Sequence, residues 1–380
     1  MPRAVYIHIP FCKQICHYCD FNKYFIEKQP VKGYLQMLEV EIKKTFELFK
    51  TEKVETIFVG GGTPTALNSE ELSYLLSIIS DNILPLTKEV EYSFECNPDD
   101  LTEEKLALLK QGGVNRLSFG VQTFDKDLLK KIGRTHRADD VYHAVEIARA
   151  LQFKNISLDL MFGLPGQTME VFLDSLKLAL SLDVPHYSSY SLIVEPKTVF
   201  YNRLQKGKLH LPPQEQEAMM FEKLMTEMKK AGRNQYEISN FSMEGYESIH
   251  NLTYWNNEEY YGFGAGAHSY VHGVRRVNAR PLNKYMSLIK EKGTAFIDEH
   301  LVTRKEMIEE EMFLGLRKTK GVSVDHFKEK FSEDLFDLFG EEIQILFNRN
   351  LLKQDGSSIY LTEEGKMIGN EVFQSFLSGL

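Results

Sequence analysis

A chain of 380 residues with 43% hydrophobic and 26% charged residues is long enough for two or three globular domains and does not have a disordered or fibrous composition. Its formal net charge of -9 argues against a general nucleic-acid-binding role, which normally requires a basic surface. The sequence shows neither an apolar run of about 20 residues that would span a membrane nor a signal-peptide segment, so we expect a cytoplasmic protein.

Six short segments in the first half of the chain are rich in β-branched and aromatic residues and are predicted to be buried strands. They are residues 4–9, 55–60, 90–96, 114–121, 156–162 and 186–193. Amphipathic helical patterns lie between most of them. This alternation predicts an α/β fold, a parallel (β/α)6 unit over residues 1 to about 200. The pattern fits either an open doubly wound sheet or a partial TIM-type barrel, and both place the ligand site at the carboxyl ends of the strands.

The remainder of the chain divides by composition. A helix is predicted over residues 211–232, and residues 234–280 are dense in Tyr, Asn, Gly and His, which indicates short strands and loops. From about residue 304 the pattern is helical, and two short apolar runs flank a DGSS turn in a way that resembles a winged-helix module. A helical cap packed on the barrel is the alternative. We therefore predict domains at 1–232, 233–303 and 304–380, the second and third forming an α+β extension.

Three of the four cysteines stand in HIPFCKQICHYCDF, residues 8–21, directly after the first predicted strand. So few cysteines do not make a disulfide framework, and the spacing C-x3-C-x2-C indicates metal ligands in a reducing compartment. A structural zinc site needs a fourth protein ligand, and His17 is hemmed in between Cys16 and Cys19. Three thiolates are enough for a [4Fe-4S] cluster with one open iron. Cys96 lies far away in sequence, and a small buried hydrophobe is the common fate of such a residue.

Polar groups follow several of the predicted strands. The segment GGGTPT, residues 60–65, ends the second strand, where glycines allow a ligand to approach the backbone and expose N–H groups to it. An ordinary tight turn is the alternative for this segment. Glu95, Gln122 and Asp159 stand at the ends of the next three strands or within them. A single acid in such a place is more often structural, but three strands with polar ends around one mouth favour a ligand site.

These segments, in this order, resemble the radical S-adenosylmethionine (SAM) superfamily and, over nearly the whole chain, its oxygen-independent coproporphyrinogen III dehydrogenase group. The resemblance implies a [4Fe-4S] cluster bound by Cys12, Cys16 and Cys19, with SAM at the open iron. It further implies that Tyr6 contacts the SAM carboxylate and that Tyr18 lies against the adenine. The other implied SAM-binding residues are Gly61, Gly62, Thr63, Glu95, Gln122, Arg134 in IGRTH, and Asp159. For Arg134, a surface salt bridge is the alternative.

Two features depart from the dehydrogenases and are similar to the HemW family of heme chaperones. The dehydrogenases carry a further cysteine where this chain has Phe21. They also carry a substantial N-terminal arm before the cysteines, whereas only eleven residues precede Cys12 here. The segment HNLTYW, residues 250–255, matches the H-N-x-x-Y-W motif of those chaperones. This resemblance implies a heme site with His250 as the leading axial ligand. His268, in GFGAGAHSY at residues 262–270, is a second candidate, and a tight barrel-closing loop is the alternative for that segment. The other implied heme contacts are Asn251, Tyr254 and Trp255. A packed aromatic turn with a hydrogen-bonded histidine is the structural alternative.

The sequence is thus interpreted as a [4Fe-4S]- and SAM-binding heme chaperone that delivers heme to acceptor proteins. The alternative is a radical SAM enzyme that decarboxylates coproporphyrinogen III to protoporphyrinogen IX, an activity that Phe21 and the short N-terminus disfavour. The expected partners are heme, heme-accepting proteins and an electron donor, without nucleic acid. Membrane-associated acceptors and a homodimer are compatible with this interpretation.

Overall fold

The computed structural model describes residues 1–83 and 86–377. Its strands are β1 (Ala4–Ile9), β2 (Phe11–Cys12), β3 (Tyr24–Phe25), β4 (Val54–Gly61), β5 (Leu86–Cys96), β6 (Arg116–Gln122), β7 (Asn155–Phe162), β8 (His186–Ser191), β9 (Asn234–Glu237), β10 (Asn240–Ser242), β11 (Tyr260–Phe263), β12 (His268–Val271), β13 (Val274–Asn278), β14 (Phe296–Leu301), β15 (Val322–Ser323), β16 (Leu352–Asp355) and β17 (Ser358–Leu361). Its helices are α1 (Val31–Leu48), α2 (Ser69–Asn82), α3 (Glu103–Gln111), α4 (Lys126–Ile132), α5 (Ala138–Ala150), α6 (Met169–Ser181), α7 (Val199–Gln205), α8 (Gln214–Lys230), α9 (Ile249–Trp255), α10 (Leu282–Lys292), α11 (Arg304–Gly315), α12 (Val324–Phe331), α13 (Leu335–Asn348), α14 (Glu363–Met367) and α15 (Gly369–Gln374).

The six predicted strands are confirmed and correspond to β1, β4, β5, β6, β7 and β8. They lie side by side in chain order, and each neighbouring pair is parallel. A doubly wound sheet would reverse its strand order at a switch point, so the sequential order establishes a partial TIM-type barrel. The carboxyl ends of all six strands therefore meet at one mouth.

Further strands extend both edges of this sheet. On the far side of β1, β11 pairs in parallel and is followed by the antiparallel strands β12, β13 and β14, while β10 and β9 extend the edge at β8. The expected short strands are thus present, but the expectation of a loop or turn at residues 250–255 is wrong, because they form α9. The Ser248 hydroxyl and the Glu91 carboxylate accept hydrogen bonds from N–H groups at the start of α9, which satisfies donors that a helix leaves unpaired.

A buried carboxylate ties α1 to the extension. Glu41 accepts hydrogen bonds from the Gly264 N–H at 2.9 Å, the Tyr285 hydroxyl at 2.6 Å and the Asn278 side-chain amide at 2.6 Å. Burial raises the pKa of Glu41 to about 7, and these three donors partly offset that rise. The contact fixes Gly264 in the turn between β11 and β12, where a φ of +97° favours glycine.

The C-terminal segment has its own apolar core. Residues from α11, α12 and α13 pack with the three-stranded sheet of β15, β16 and β17, and the two apolar runs that flank the DGSS turn form the antiparallel pair β16 and β17. Backbone hydrogen bonds from Ile238 to Arg317 and from Thr319 to Tyr236 join this segment to β9. The three-domain division and the winged-helix comparison remain predictions, and residues 378–380 lie outside the described ones. Within the described ranges, no helix has the length and apolar character to cross a bilayer.

We expect Glu41→Ala to lower the free energy of unfolding by about 3 kcal/mol, because the Gly264 N–H and the Tyr285 hydroxyl lose their acceptor inside the core. Urea unfolding followed by circular dichroism measures the change. Glu47→Ala, at an exposed position on the same helix, is the control and should shift stability by less than about 0.5 kcal/mol. Equal unfolding midpoints for the two variants would contradict this role for Glu41.

Candidate cofactor site

One cavity at the mouth of the barrel gathers most of the predicted site residues, and we call it the cysteine cavity. It has a volume of about 120 Å³ and lies at the carboxyl ends of the parallel strands. The predicted residues in its walls are Cys12, Cys16, Tyr18, Cys19, Gly61, Gly62, Thr63, Glu95, Gln122, Arg134 and Asp159. Tyr6 is not among them, and its hydroxyl hydrogen-bonds to His8 Nδ1 at 2.9 Å.

The cluster loop, residues 13–23, connects β2 to β3 and carries Cys16 and Cys19. Its ends are joined by the Tyr24 N–H, which donates to the Pro10 carbonyl at 2.7 Å, and by pairing of β2 with β3. Its middle is attached to the end of α4 by His17, whose backbone N–H donates to the Ile132 carbonyl and whose Nδ1 donates to the Lys131 carbonyl at 2.7 Å. His17 therefore positions the loop, and its ring is turned toward α4.

The cysteine set fits a [4Fe-4S] cluster. Across the described ranges, no three His, Cys, Asp or Glu side chains converge on a single metal ion. A cubane cluster does not need such convergence, because each cysteine binds a different iron and the thiolates surround the cluster. Burial raises the pKa of Cys12 to about 12, and a bound metal would reverse this effect by deprotonating the thiol. Cys96 also lines the cavity, but its thiol is buried and donates to the Phe94 carbonyl at 3.5 Å.

The glycine segment after β4 serves close packing. The N–H of Gly61 donates to Glu95 Oε2 at 2.9 Å, and those of Gly62 and Thr63 donate to the backbone carbonyls of Ile9 and Phe11. A Cβ at Gly61 would clash with the ring of His8, and its φ of +110° also favours glycine. These N–H groups are thus bonded within the protein, whereas the sequence led us to expect them to face a ligand.

Two carboxyl groups and one guanidinium set the electrostatics of the cavity. Burial raises the pKa of Glu95 to about 7, with a further increase from Asp159 and a decrease from Arg134. Burial also raises the pKa of Asp159, although the Ser118 hydroxyl donates to it at 2.9 Å. Arg134 donates to the Asn97 side chain and to the Gly120 carbonyl, while its Nε is buried without a partner among the described residues. Arg134 is therefore not in the surface salt bridge given as its alternative, and its guanidinium faces the cavity.

Sequence reasoning missed further residues of the cavity. Tyr190 donates to Gln122 Oε1 at 3.2 Å, and Asn97 holds the Arg134 guanidinium. Asn97 directly follows the predicted strand 90–96, so the rule that located Glu95 would also have found it. Tyr190 lies inside the predicted strand 186–193, and only the observed end of β8 at Ser191 places it near the mouth. Gln122 itself has a φ of +66°, a conformation that a non-glycine residue rarely adopts.

The HNLTYW segment places its histidine inside the barrel. His250 is 1% exposed, with Nδ1 hydrogen-bonded to the Thr56 hydroxyl and Nε2 to the Tyr254 hydroxyl, both at 2.9 Å. Its ring stacks on Phe58 with the ring centroids 5.1 Å apart. Burial lowers the pKa of His250 to about 3, so the ring is neutral at physiological pH. Both ring nitrogens already have hydrogen-bond partners.

The structure does not gather the four predicted heme residues around one cavity. The ring of Trp255 lies under the Arg317 guanidinium at 4.4 Å, toward the C-terminal segment. The backbone N–H of Asn251 donates to the Ser248 hydroxyl at the start of α9. Tyr254, by contrast, lines a second cavity of about 260 Å³ beside the cluster loop, which we call the hairpin cavity. Its walls are Tyr6, His8, Asp20, Phe21, Asn22, Tyr254, Tyr260, Gly266, Ala267, His268 and Arg280.

Known proteins share both the fold and the sequence. Residues 6–179 match the model of the Radical SAM superfamily, and residues 302–368 match that of the HemN C-terminal domain. A solved structure described as coproporphyrinogen III oxidase (HemN) from Escherichia coli, a radical SAM enzyme, superposes with a TM-score of 0.88 at 25% identity, covering 100% of this chain and 91% of that one. The fold and the cysteine site thus define a radical SAM protein.

Relatives of full length define the family more closely. The Heme chaperone HemW of Bacillus subtilis is 57% identical over 378 residues, which is 100% of each chain. The Heme chaperone HemW of Lactococcus lactis is 46% identical over 376 residues, covering 99% of this chain and 97% of that protein. The chain belongs to the HemW family.

We expect His250→Ala to lower the free energy of unfolding by about 3 kcal/mol near neutral pH, because the Thr56 and Tyr254 hydroxyls lose their partner and a cavity is left. The pKa of His250 is lower in the folded state than the 6.5 of a free histidine, so its neutral form stabilises the fold above about pH 6.5, and this contribution is lost as the pH falls toward 3. The difference between wild type and variant should therefore shrink from about pH 7.5 to about pH 5.

Denaturant unfolding at the two pH values measures this difference. His143→Ala, an exposed position on α5, is the control and should change stability little at either pH. A His250→Ala protein as stable as this control would show that the buried hydrogen bonds of His250 do not stabilise the fold.

Proposed function

We propose that this protein is a heme chaperone that carries a [4Fe-4S] cluster and SAM in the cysteine cavity, binds heme and transfers it to acceptor proteins. The observation that carries the heme part is the 57% identity, over the full length of both chains, to a protein named Heme chaperone HemW. The structure supports the cofactor part, because three cysteines, two acids and an arginine surround one cavity at the barrel mouth.

In this proposal Cys12, Cys16 and Cys19 ligate three irons of the cluster, and the fourth iron is left for SAM. A cluster of this kind supplies one-electron transfer to the sulfonium of bound SAM. Arg134 lines the cavity, its guanidinium donates to the Gly120 carbonyl, and its Nε has no partner among the described residues. In this proposal the guanidinium pairs with the carboxylate of bound SAM.

The remaining SAM contacts in the proposal are those that the resemblance implied. Tyr18 lies beside the adenine, Gly61, Gly62 and Thr63 beside the methionine part, and Glu95, Gln122 and Asp159 near the ribose. Tyr6 lies outside the wall of the cysteine cavity, so in this proposal it acts on SAM through its hydrogen-bond partner His8. The ring of His8 packs against Gly61 at the edge of that cavity. The protein works in the cytoplasm, takes an electron from a donor protein and hands heme to acceptors, membrane-associated ones included.

The second candidate is an oxygen-independent coproporphyrinogen III dehydrogenase. The TM-score of 0.88 to the Escherichia coli oxidase favours it. Phe21 stands against it, because the side chain is 62% exposed at the cavity edge where the dehydrogenases carry a cysteine. The two functions differ in what happens to the tetrapyrrole, since the chaperone binds and releases it unchanged and the enzyme removes two carboxyl groups.

The cluster assignment predicts about four iron and four sulfide per chain in anaerobically purified protein. Replacement of Cys12, Cys16 or Cys19 by Ala should remove most of both, because three ligands leave no thiolate to spare. Cys96→Ala is the matched control, a free thiol on the same cavity, and should keep the cluster. Full iron and sulfide content in the variant that lacks all three cysteines would refute the cluster.

Anaerobic incubation of the reconstituted protein with SAM, a low-potential reductant and coproporphyrinogen III separates the two functions. We expect no protoporphyrinogen IX from this protein and steady formation by the Escherichia coli oxidase under the same conditions. Heme binding, followed by the Soret band, is measured on the same preparation. Formation of protoporphyrinogen IX in more than one turnover would favour the dehydrogenase.

A further inference from the structure

We propose that heme binds at the hairpin cavity, with His268 as its iron ligand and Arg280 as the partner of a propionate. The inference rests on the proposed function and gives the heme a location that the HNLTYW segment does not. Three independent features of the cavity support it: an imidazole available for coordination, an unpaired cation, and aromatic walls.

The imidazole of His268 is available, whereas that of His250 is not. His268 is exposed at the start of β12 and lines the cavity, and its ring forms no hydrogen bond or ion pair with any described residue. Partial burial and the charge of Arg280 lower the pKa of His268, and the neutral imidazole is the form that binds iron. His250 would first have to give up its bonds to Thr56 and Tyr254 and leave the barrel interior.

The backbone around His268 is held firmly. The turn before it contains Gly264 and Gly266, both with positive φ, and Glu41 binds the N–H of Gly264. The Asn278 N–H donates to the Ala267 carbonyl at 2.9 Å, and β12 pairs with β13 from His268 onward. A ligand on such a support is preorganised for a metal, because few backbone degrees of freedom are lost on binding.

Arg280 supplies the charge that a propionate needs. Its backbone carbonyl accepts hydrogen bonds from the Asn22 amide and the Tyr24 hydroxyl, which attach this part of the chain to the cluster loop. Its guanidinium is exposed and makes no salt bridge with any residue in the described part of the chain. A guanidinium in this state can pair with a carboxylate through two parallel hydrogen bonds.

The aromatic walls suit a flat macrocycle. Phe21 is 62% exposed and lines both cavities, and Tyr254 and Tyr260 meet edge to face with centroids 4.7 Å apart. The volume of about 260 Å³ is just below the roughly 300 Å³ of pockets that enclose a ligand, so a porphyrin here is held along one side. The other side remains in solvent, which an acceptor protein requires in order to take the heme.

The test is a titration of hemin into the full-length protein, in which absorbance gives the affinity and resonance Raman spectra report the axial ligand. We expect His268→Ala to lose the imidazole signature, to bind hemin about tenfold or more weakly, and to regain the signature with added imidazole. His143→Ala, an exposed histidine elsewhere, should match wild type. For metal-free protoporphyrin IX, His268→Ala should match wild type, while Arg280→Ala and Phe21→Ala should bind it several-fold more weakly.

The outcomes separate this inference from the function on which it rests. If the wild-type protein fails to bind hemin, the proposed chaperone function is wrong. If wild type binds hemin and His268→Ala keeps its spectrum and affinity, this location is wrong and the function stands. Because His268 is exposed, its variant should fold, and an unchanged unfolding midpoint confirms that a loss of hemin binding is local.

Discussion

The arrangement of both cavities depends on the parallel hydrogen bonding of β1 to strands on its two sides. β1 pairs with β4 of the barrel and with β11 of the extension. Its inner side chains, Tyr6 and His8, therefore lie on the inner face of the sheet between these two parts. Its outer side chains are fully buried against the helices. Since the cluster loop follows β1 almost directly, it lies over the barrel mouth on one side and over the turn between β11 and β12 on the other.

The barrel interior is polar, and many of its groups hydrogen-bond to one another. Glu91 accepts hydrogen bonds from the start of α9, and Thr56 and Tyr254 bind the two nitrogens of His250. Breaking such a network leaves several buried groups without partners, which costs far more than removal of a surface contact. The same argument explains why His250 in the HNLTYW segment can be structural. Moving its buried ring out of the barrel would break two hydrogen bonds and leave their partners unpaired.

The strands and the cysteine cavity were predictable, because short apolar runs and polar residues at strand ends are local signals. The order of the strands was open until pairing was known, since it depends on contacts distant in sequence. Helix α9 was missed because its seven residues mix aliphatic, aromatic and polar side chains in a short segment, and the N–H groups at its start are bonded by Glu91, which lies far away in sequence on β5. The location of Tyr6, Tyr254 and His268 in the hairpin cavity, apart from the other predicted site residues, likewise depends on β11 pairing with β1. The sequence carries no periodic signal for this pairing.

Phe21 lies at the boundary between the cysteine cavity and the hairpin cavity. It lies two residues after the last cysteine of the cluster loop and forms part of the walls of both cavities. A thiol there would add a reactive, ionisable group between the cofactor and any tetrapyrrole in the hairpin cavity, whereas a phenyl ring offers apolar contact and no chemistry. A protein that releases its tetrapyrrole unchanged would benefit from such a wall, and in the proposed arrangement Phe21 stands between the cofactor and the heme.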